Sequence, residues 1–172
     1  RSGHSFPTRR SSDLPDFEQQ WSTNPVGFLG TLRANRWHHG HTVLIGDAAH
    51  AIVPFYGQGM NAAFEDVRRL DELHAAGTEN LPEVLFQERK PNADAIAEMA
   101  LMNFVEMRDH VGDPMFLSRK ALERKLGRWL PKMFTPLYDR VSFSNQPYVD
   151  ALRHGRRQDQ LLRRLQSLGL GR

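Results

Sequence analysis

Residues 42–61 read TVLIGDAAHAIVPFYGQGMN, and the rest of the chain is organised around them. Thr42, Val43, Leu44 and Ile45 are apolar or β-branched and predict a short buried strand closed by Gly46, with Asp47 left where the strand ends. Open α/β sheets bind ligands at that end of their strands. A carboxylate fixed there accepts two or more hydrogen bonds, which suits the hydroxyls of a sugar or polyol better than the edge of a base. Further on comes Gly57-Gln58-Gly59-Met60-Asn61, where a helical apolar stripe begins. Glycines ahead of a helix let a ligand approach backbone N–H groups and the positive end of the helix dipole.

Plainer readings exist for each half. A Gly-Asp after a strand is commonly a turn. Gly57-x-Gly59-x-x-Ala62 matches the dinucleotide phosphate fingerprint in form, yet it follows a proline-containing loop instead of a strand. The joint spacing of the two halves favours a ligand site.

Composition sets the bounds. With 172 residues and 40% hydrophobic content, the chain is long enough for one domain with a sizeable core. It has no cysteine, which excludes disulfides and thiolate metal sites and fits a reducing, cytoplasmic setting. The net charge of +3 is mild, and Arg156-Arg157 and Arg163-Arg164 read as a solvated helix face, with no nucleic-acid partner expected. No apolar run approaches the ~18 residues of a membrane span, and no segment reads as a secretory signal.

Residues 1–14, RSGHSFPTRRSSDL, are polar and lack an apolar period, so a disordered or foreign leader is expected. A short amphipathic helix with Phe17 and Trp21 should follow, stopped at Asn24-Pro25. Val26 to Ala34 reads as a strand with glycines that permit bends. His38, His39, His41 and His50 raise a metal hypothesis, but three of them crowd a polar turn at Gly40 without helical spacing, and no metal is expected. From Met60, the positions Ala63, Phe64, Val67, Leu70 and Leu73 predict a helix packed on that face and ended at Gly77. Glu65, Asp66, Arg68 and Arg69 should then point outward, with the acids serving the dipole.

Pro82 should open a helix that Pro91 interrupts or kinks. Beyond Pro91, Ile96, Ala97, Ala100, Leu101, Phe104, Val105 and Arg108 trace one stripe, with Asn103 and Met107 at i, i+4 beside it. Asp113-Pro114 caps a further helix running to Trp129. Tyr138 falls in a proline-bounded loop, and a basic amphipathic helix from Pro147 should soften at Gly155.

Gly-Asp-Ala-Ala-His, then Pro54, then Gly-Gln-Gly-Met-Asn resembles the second flavin fingerprint of the single-component FAD-dependent aromatic hydroxylases. Three further segments carry the resemblance towards the kynurenine 3-monooxygenase family: IVPFYGQGMNAAFED (52–66), RKPNADAIAEMALMNFVEMRD (89–109) and PLYDRVSFS (136–144). The similarity covers roughly residues 15–157 and corresponds to the C-terminal portion of such an enzyme.

The resemblance implies hydroxylation of L-kynurenine to 3-hydroxykynurenine with FAD, NADPH as co-substrate and O₂, a step of tryptophan catabolism and NAD biosynthesis. It implies FAD contacts from Asp47, Pro54, Gly57, Gly59, Met60 and Asn61. Phe55, Tyr56 and Gln58 would face the substrate, and Asn103, Met107 and Tyr138 its amino-acid end. No residue is assigned a catalytic proton transfer, since the oxygen chemistry belongs to the cofactor.

The expected fold class is an α/β to α+β fragment: a short strand of the FAD-binding sheet and one of the substrate domain, followed by a mostly helical C-terminal region. The expected divisions are 1–14 leader, 15–77 end of the substrate-domain sheet with the flavin strand-loop-helix, and 78–172 helical substrate region. Nothing in these residues supplies the Gly-rich turn for the ADP half of FAD, so the chain alone is expected to be inactive. The oligomeric state stays open. The competing readings are a hydroxylase of another aromatic, and a non-catalytic helical binding module.

Overall fold

The computed structural model describes residues 16–110, 112–131 and 133–169, so the expectation for residues 1–14 lies outside the described residues. Helix α1 spans Phe17–Thr23 and stops at Asn24, before Pro25. Strands β1 (His38–His39) and β2 (Thr42–Val43) pair antiparallel around Gly40, His38 opposite Val43 and His39 opposite Thr42. There follow a one-turn helix α2 (Asp47–His50), a 3-10 turn at Pro54–Tyr56, and the long helices α3 (Gly59–Ala75) and α4 (Leu81–Val105). A π-turn at Glu106–His110 leads to α5 (Pro114–Trp129), α6 (Leu137–Ser142) and α7 (Tyr148–Ser167). The class is therefore a small sheet followed by a mostly helical C-terminal region, as the sequence predicts.

Helix α4 is central because its alanines let neighbours approach on two sides. Ala95, Ile96, Met99 and Ala100 share one buried cluster with Val53, Tyr56 and Ala62 on the flavin-motif side and with Val141, Tyr148, Ala151 and Leu152 from α6 and α7. Full burial of a side chain such as Ile96 contributes ~1.5–3 kcal/mol. A second cluster joins Trp37, Ala49 and Ala93, and a third joins α5 to α7 through Leu122, Phe134 and Leu162.

Several elements depart from the sequence reading. The buried strand expected over 42–45 is regular only at Thr42–Val43, and Leu44 is exposed. A buried strand needs neighbours on both edges, and among the described residues β2 has only β1. Val26 to Ala34 runs without a regular strand, although the N–H groups of Leu32 and Ala34 donate to the carbonyls of Ala51 and Ala49.

Helix α3 is rotated from the expected face: it buries Ala62, Asp66 and Leu73, and leaves Met60, Phe64 and Val67 exposed. Helix α4 continues uninterrupted through Pro91, packed against α3 and α7. Tyr138 lies on α6 instead of in a loop, and α7 continues through Gly155.

Candidate functional site

The GDAAH segment folds as a sharp turn into α2. Gly46 adopts φ 57° and ψ −141°, a backbone closed to L side chains, and a Cβ there would sit 3.2 Å from the Ala63 Cβ. Its carbonyl accepts from the N–H groups of Ala49 and His50, both at 2.9 Å. Asp47 begins α2 with its side chain exposed, and among the described residues no hydrogen bond or ion pair engages its carboxylate.

Beneath this turn lies a charge network built on Asp66, a residue that the sequence reading placed on the solvent face. Asp66 is 0% exposed. Its carboxylate accepts from the Gly46 N–H at 3.0 Å, from His50 Nε2 at 2.5 Å and from Arg89 Nε at 2.8 Å. Burial pushes the Asp66 carboxyl up, but the hydrogen bonds from His50, Arg89 and Gly46 outweigh it and hold it below the usual carboxylate range. Arg89 also reaches Glu65 at 2.8 Å and the Ala62 carbonyl at 3.3 Å. His50 stacks on Trp37 with ring centroids 5.0 Å apart.

The outward assignment of Asp66 is corrected, because three donors draw it inward, while Glu65 stays half-exposed beside Arg89. A signal was present: Asp66 is four residues from Ala62 and seven from Leu73, and Arg89 sits four from both Leu85 and Ala93, so each charge occupies an apolar stripe.

The second half of the motif forms the start of α3. Gly57 takes φ +66°, Gln58 is the N-cap, and no acidic residue occupies the first turn. The first intrahelical bond runs from the Ala62 N–H to the Gln58 carbonyl, so the amides of Gly59, Met60 and Asn61 precede the ladder. Gln58 is buried, and its Oε1 accepts from Asn61 Nδ2 at 2.9 Å and from the Tyr148 hydroxyl at 3.3 Å. Burial, then the Glu65 charge, raises the Tyr148 pKa, so this hydroxyl stays a donor.

Residues from three distant segments meet at the 3-10 turn. Asn103 Nδ2 donates to the Phe55 carbonyl at 2.7 Å and lies 3.8 Å from Met107 Sδ. The Phe55 ring stacks on Phe104 at 4.5 Å. Tyr56 is buried, and its ring meets Tyr138 at 5.6 Å, while Tyr138 is 51% exposed. Burial, then Glu106, raises the Tyr56 pKa. The structure thus brings Phe55 to Asn103 and Met107, Tyr56 to Tyr138, and Gln58 to Asn61; Asp47 has no direct tie to any of them. Among the histidines, His38 pairs with Glu83 at 2.8 Å, and no group of three metal-ligating side chains gathers among the described residues.

A family model described as "FAD binding domain" matches residues 12–100. The chain belongs to that family. It is 49% identical over 152 residues to a kynurenine 3-monooxygenase of Stenotrophomonas maltophilia (strain K279a), an overlap of 87% of this chain and 33% of the relative. It is 47% identical over 173 residues to the kynurenine 3-monooxygenase of Myxococcus xanthus (strain DK1622), covering 99% of this chain and 37% of the relative. With that of Dictyostelium discoideum it shares 44% identity over 168 residues, 88% of this chain and 36% of the relative. The chain spans about a third of the length of these curated relatives.

FAD fits the residues present. An unengaged carboxylate at Asp47 can accept ribityl hydroxyls, and the acid-free start of α3 offers amides to an electron-rich ring edge or phosphate. A cavity of about 280 Å³ adjoins this helix start, lined by Gln58, Asn61, Ser142, Ser144 and Tyr148. A larger one of about 540 Å³ lies between α4, α5 and α7, on Leu101, Met102, Val105, Phe116 and Leu162, and none of the expected site residues lines it. No helix among the described residues is long and apolar enough to cross a membrane.

Proposed function

We propose that the chain supplies the second flavin-contacting stretch and the distal substrate wall of a monooxygenase that converts L-kynurenine to 3-hydroxykynurenine with FAD, NADPH and O₂. The observation that carries this reading is the meeting of Phe55, Asn103 and Met107, beside Tyr56 and Tyr138, at a turn that runs directly into the Gly57-to-Asn61 helix start. The family match and the names of the relatives support it. In this reading residues up to about 77 hold the cofactor side, and the helices from 78 onward hold the substrate side.

FAD, when bound, supplies the redox and oxygen chemistry. The protein binds and orients. Asp47 accepts hydroxyls of the ribityl chain, and Pro54, Gly57, Gly59, Met60 and Asn61 line the ring, with the α3 dipole favouring negative charge there by ~0.3–1 kcal/mol. Phe55 forms the aromatic wall, while buried Tyr56 and Gln58 set that wall in place. Asn103, Met107 and Tyr138 hold the amino-acid end of the substrate, far from the carbon that is hydroxylated, so their contribution is orientation. The step belongs to tryptophan catabolism leading to NAD. The test is incubation of the full-length protein with NADPH, kynurenine and ¹⁸O₂, followed by mass spectrometry. Kynurenine carrying one labelled oxygen on its ring is expected; a labelled product from other aromatics but none from kynurenine would overturn the assignment.

A further inference from the structure

The Asp66 network has no part in the contacts assigned above, yet it is the most heavily bonded buried group beside them. Its three donors come from three elements: the Gly46 amide in the turn, His50 on α2 and Arg89 on α4. Asp66 itself stands on α3, the helix whose start faces the cofactor. An acceptor-only carboxylate requires the His50 proton on Nε2, and His50 Nδ1 is left buried without a partner, so the ring has one polar contact and one orientation.

The Gly46 amide that Asp66 holds is joined by one residue's backbone to Asp47. Gly46 occupies a backbone region where only glycine is unstrained, and Ala63, three residues before Asp66 on α3, closes the space where its side chain would go. The turn is thus clamped from below at Gly46, and its one exposed, unengaged carboxylate is Asp47. Arg89 carries the clamp to α4, and Glu65 on its far side balances the second guanidinium edge.

We propose that Asp66 is a positioning residue of the flavin site, acting through the Gly46-Asp47 peptide to set the Asp47 carboxylate towards the ribityl hydroxyls. This rests on the flavin reading above. The charged and titratable groups facing Asp66 are His50, Arg89 and, through Arg89, Glu65.

The experiment is a double-mutant cycle in the full-length protein, with FAD dissociation constants read from flavin fluorescence for the wild type, Asp47→Ala, Asp66→Asn and the pair. Each single substitution should weaken FAD by roughly 10-fold, and the pair by little more than either alone, because residues acting through one another are not additive. In the cofactor-free protein, Asp66→Asn should also remove hydrogen-exchange protection from the Gly46 amide while the amides of α4 keep theirs. A roughly 100-fold loss in the pair, the product of the singles, would overturn the proposal. So would an unchanged dissociation constant for Asp66→Asn beside a weakened Asp47→Ala, and in that case the flavin reading would survive. An unchanged dissociation constant for Asp47→Ala would instead sink the flavin reading itself. If Asp66→Asn does not fold, Asp66→Ser, which is smaller and withdraws the carboxylate from the Gly46 amide, replaces it in the same cycle under the same rule.

Discussion

At the scale of single residues, Asp66 shows how an ionised carboxylate is kept at zero exposure: three donors replace its water, two of them on groups that carry or can carry positive charge. Removing one partner of such a pair leaves the other buried and uncompensated. Arg89→Leu should therefore cost about 3–5 kcal/mol in urea unfolding. The folded Asp66 carboxyl lies below its unfolded value of ~3.9, so the folded state releases that proton more readily. Its contribution to stability is complete above about pH 4 and is lost as pH falls through the lower folded value. In a series of unfolding curves towards acid, Asp66→Asn should flatten the fall below about pH 4, and an unchanged acid limb would contradict the network. Gly46 and Gly57 were legible as breaks in regular structure, and both take positive φ. Asp66 was not, since its bonds reach residues 16, 20 and 23 positions away, and a lone acid early in a helix reads as a dipole partner.

Among elements, α3, α4, α5 and α7 were legible from apolar period and caps, and Asp113 does accept the Met115 N–H at 2.9 Å with Pro114 in the first turn. Local breakers misled where tertiary contact decided. Pro91 and Gly155 continue their helices because both lie in helices packed along their length, and at Gly155 the missing side chain admits Leu137 of α6. The two half-buried helix glycines, Gly127 and Gly155, separate by what they meet. A Cβ at Gly127 would lie 2.8 Å from the Phe134 carbonyl oxygen, which is backbone, whereas at Gly155 it would meet the end of the Leu137 side chain at 2.9 Å. Gly127→Ala should thus destabilise by ~1–3 kcal/mol despite the better helix propensity of alanine. Gly155→Ala should cost less, because Leu137 can change rotamer. Thermal unfolding of the two variants checks the order, and a larger loss at Gly155 would contradict it.

For the whole molecule, the fold class was legible because helix period dominates from residue 59 onward, while the strand expected at 42–45 depends on sheet neighbours that the described residues do not provide. Met60 at 68%, Phe64 at 63% and Val67 at 48% are exposed on the face of α3 beside the flavin motif. One hydroxyl acceptor and one helix start are a small share of what a dinucleotide needs, so the 172 residues alone should give no stoichiometric FAD complex by calorimetry at micromolar concentration. The central claim is that substrate and flavin are brought together by the turn before α3, with Asn103 and Tyr138 at the substrate's far end. Anaerobic stopped-flow reduction of the full-length protein by NADPH, with kynurenine titrated in, tests it most directly. Asn103→Ala and Tyr138→Phe should each shift half-saturation upward about 2- to 100-fold, the equivalent of a lost hydrogen bond of roughly 0.5–3 kcal/mol, while FAD content stays at the wild-type level. Titration curves that superimpose on the wild type for both variants would contradict the account.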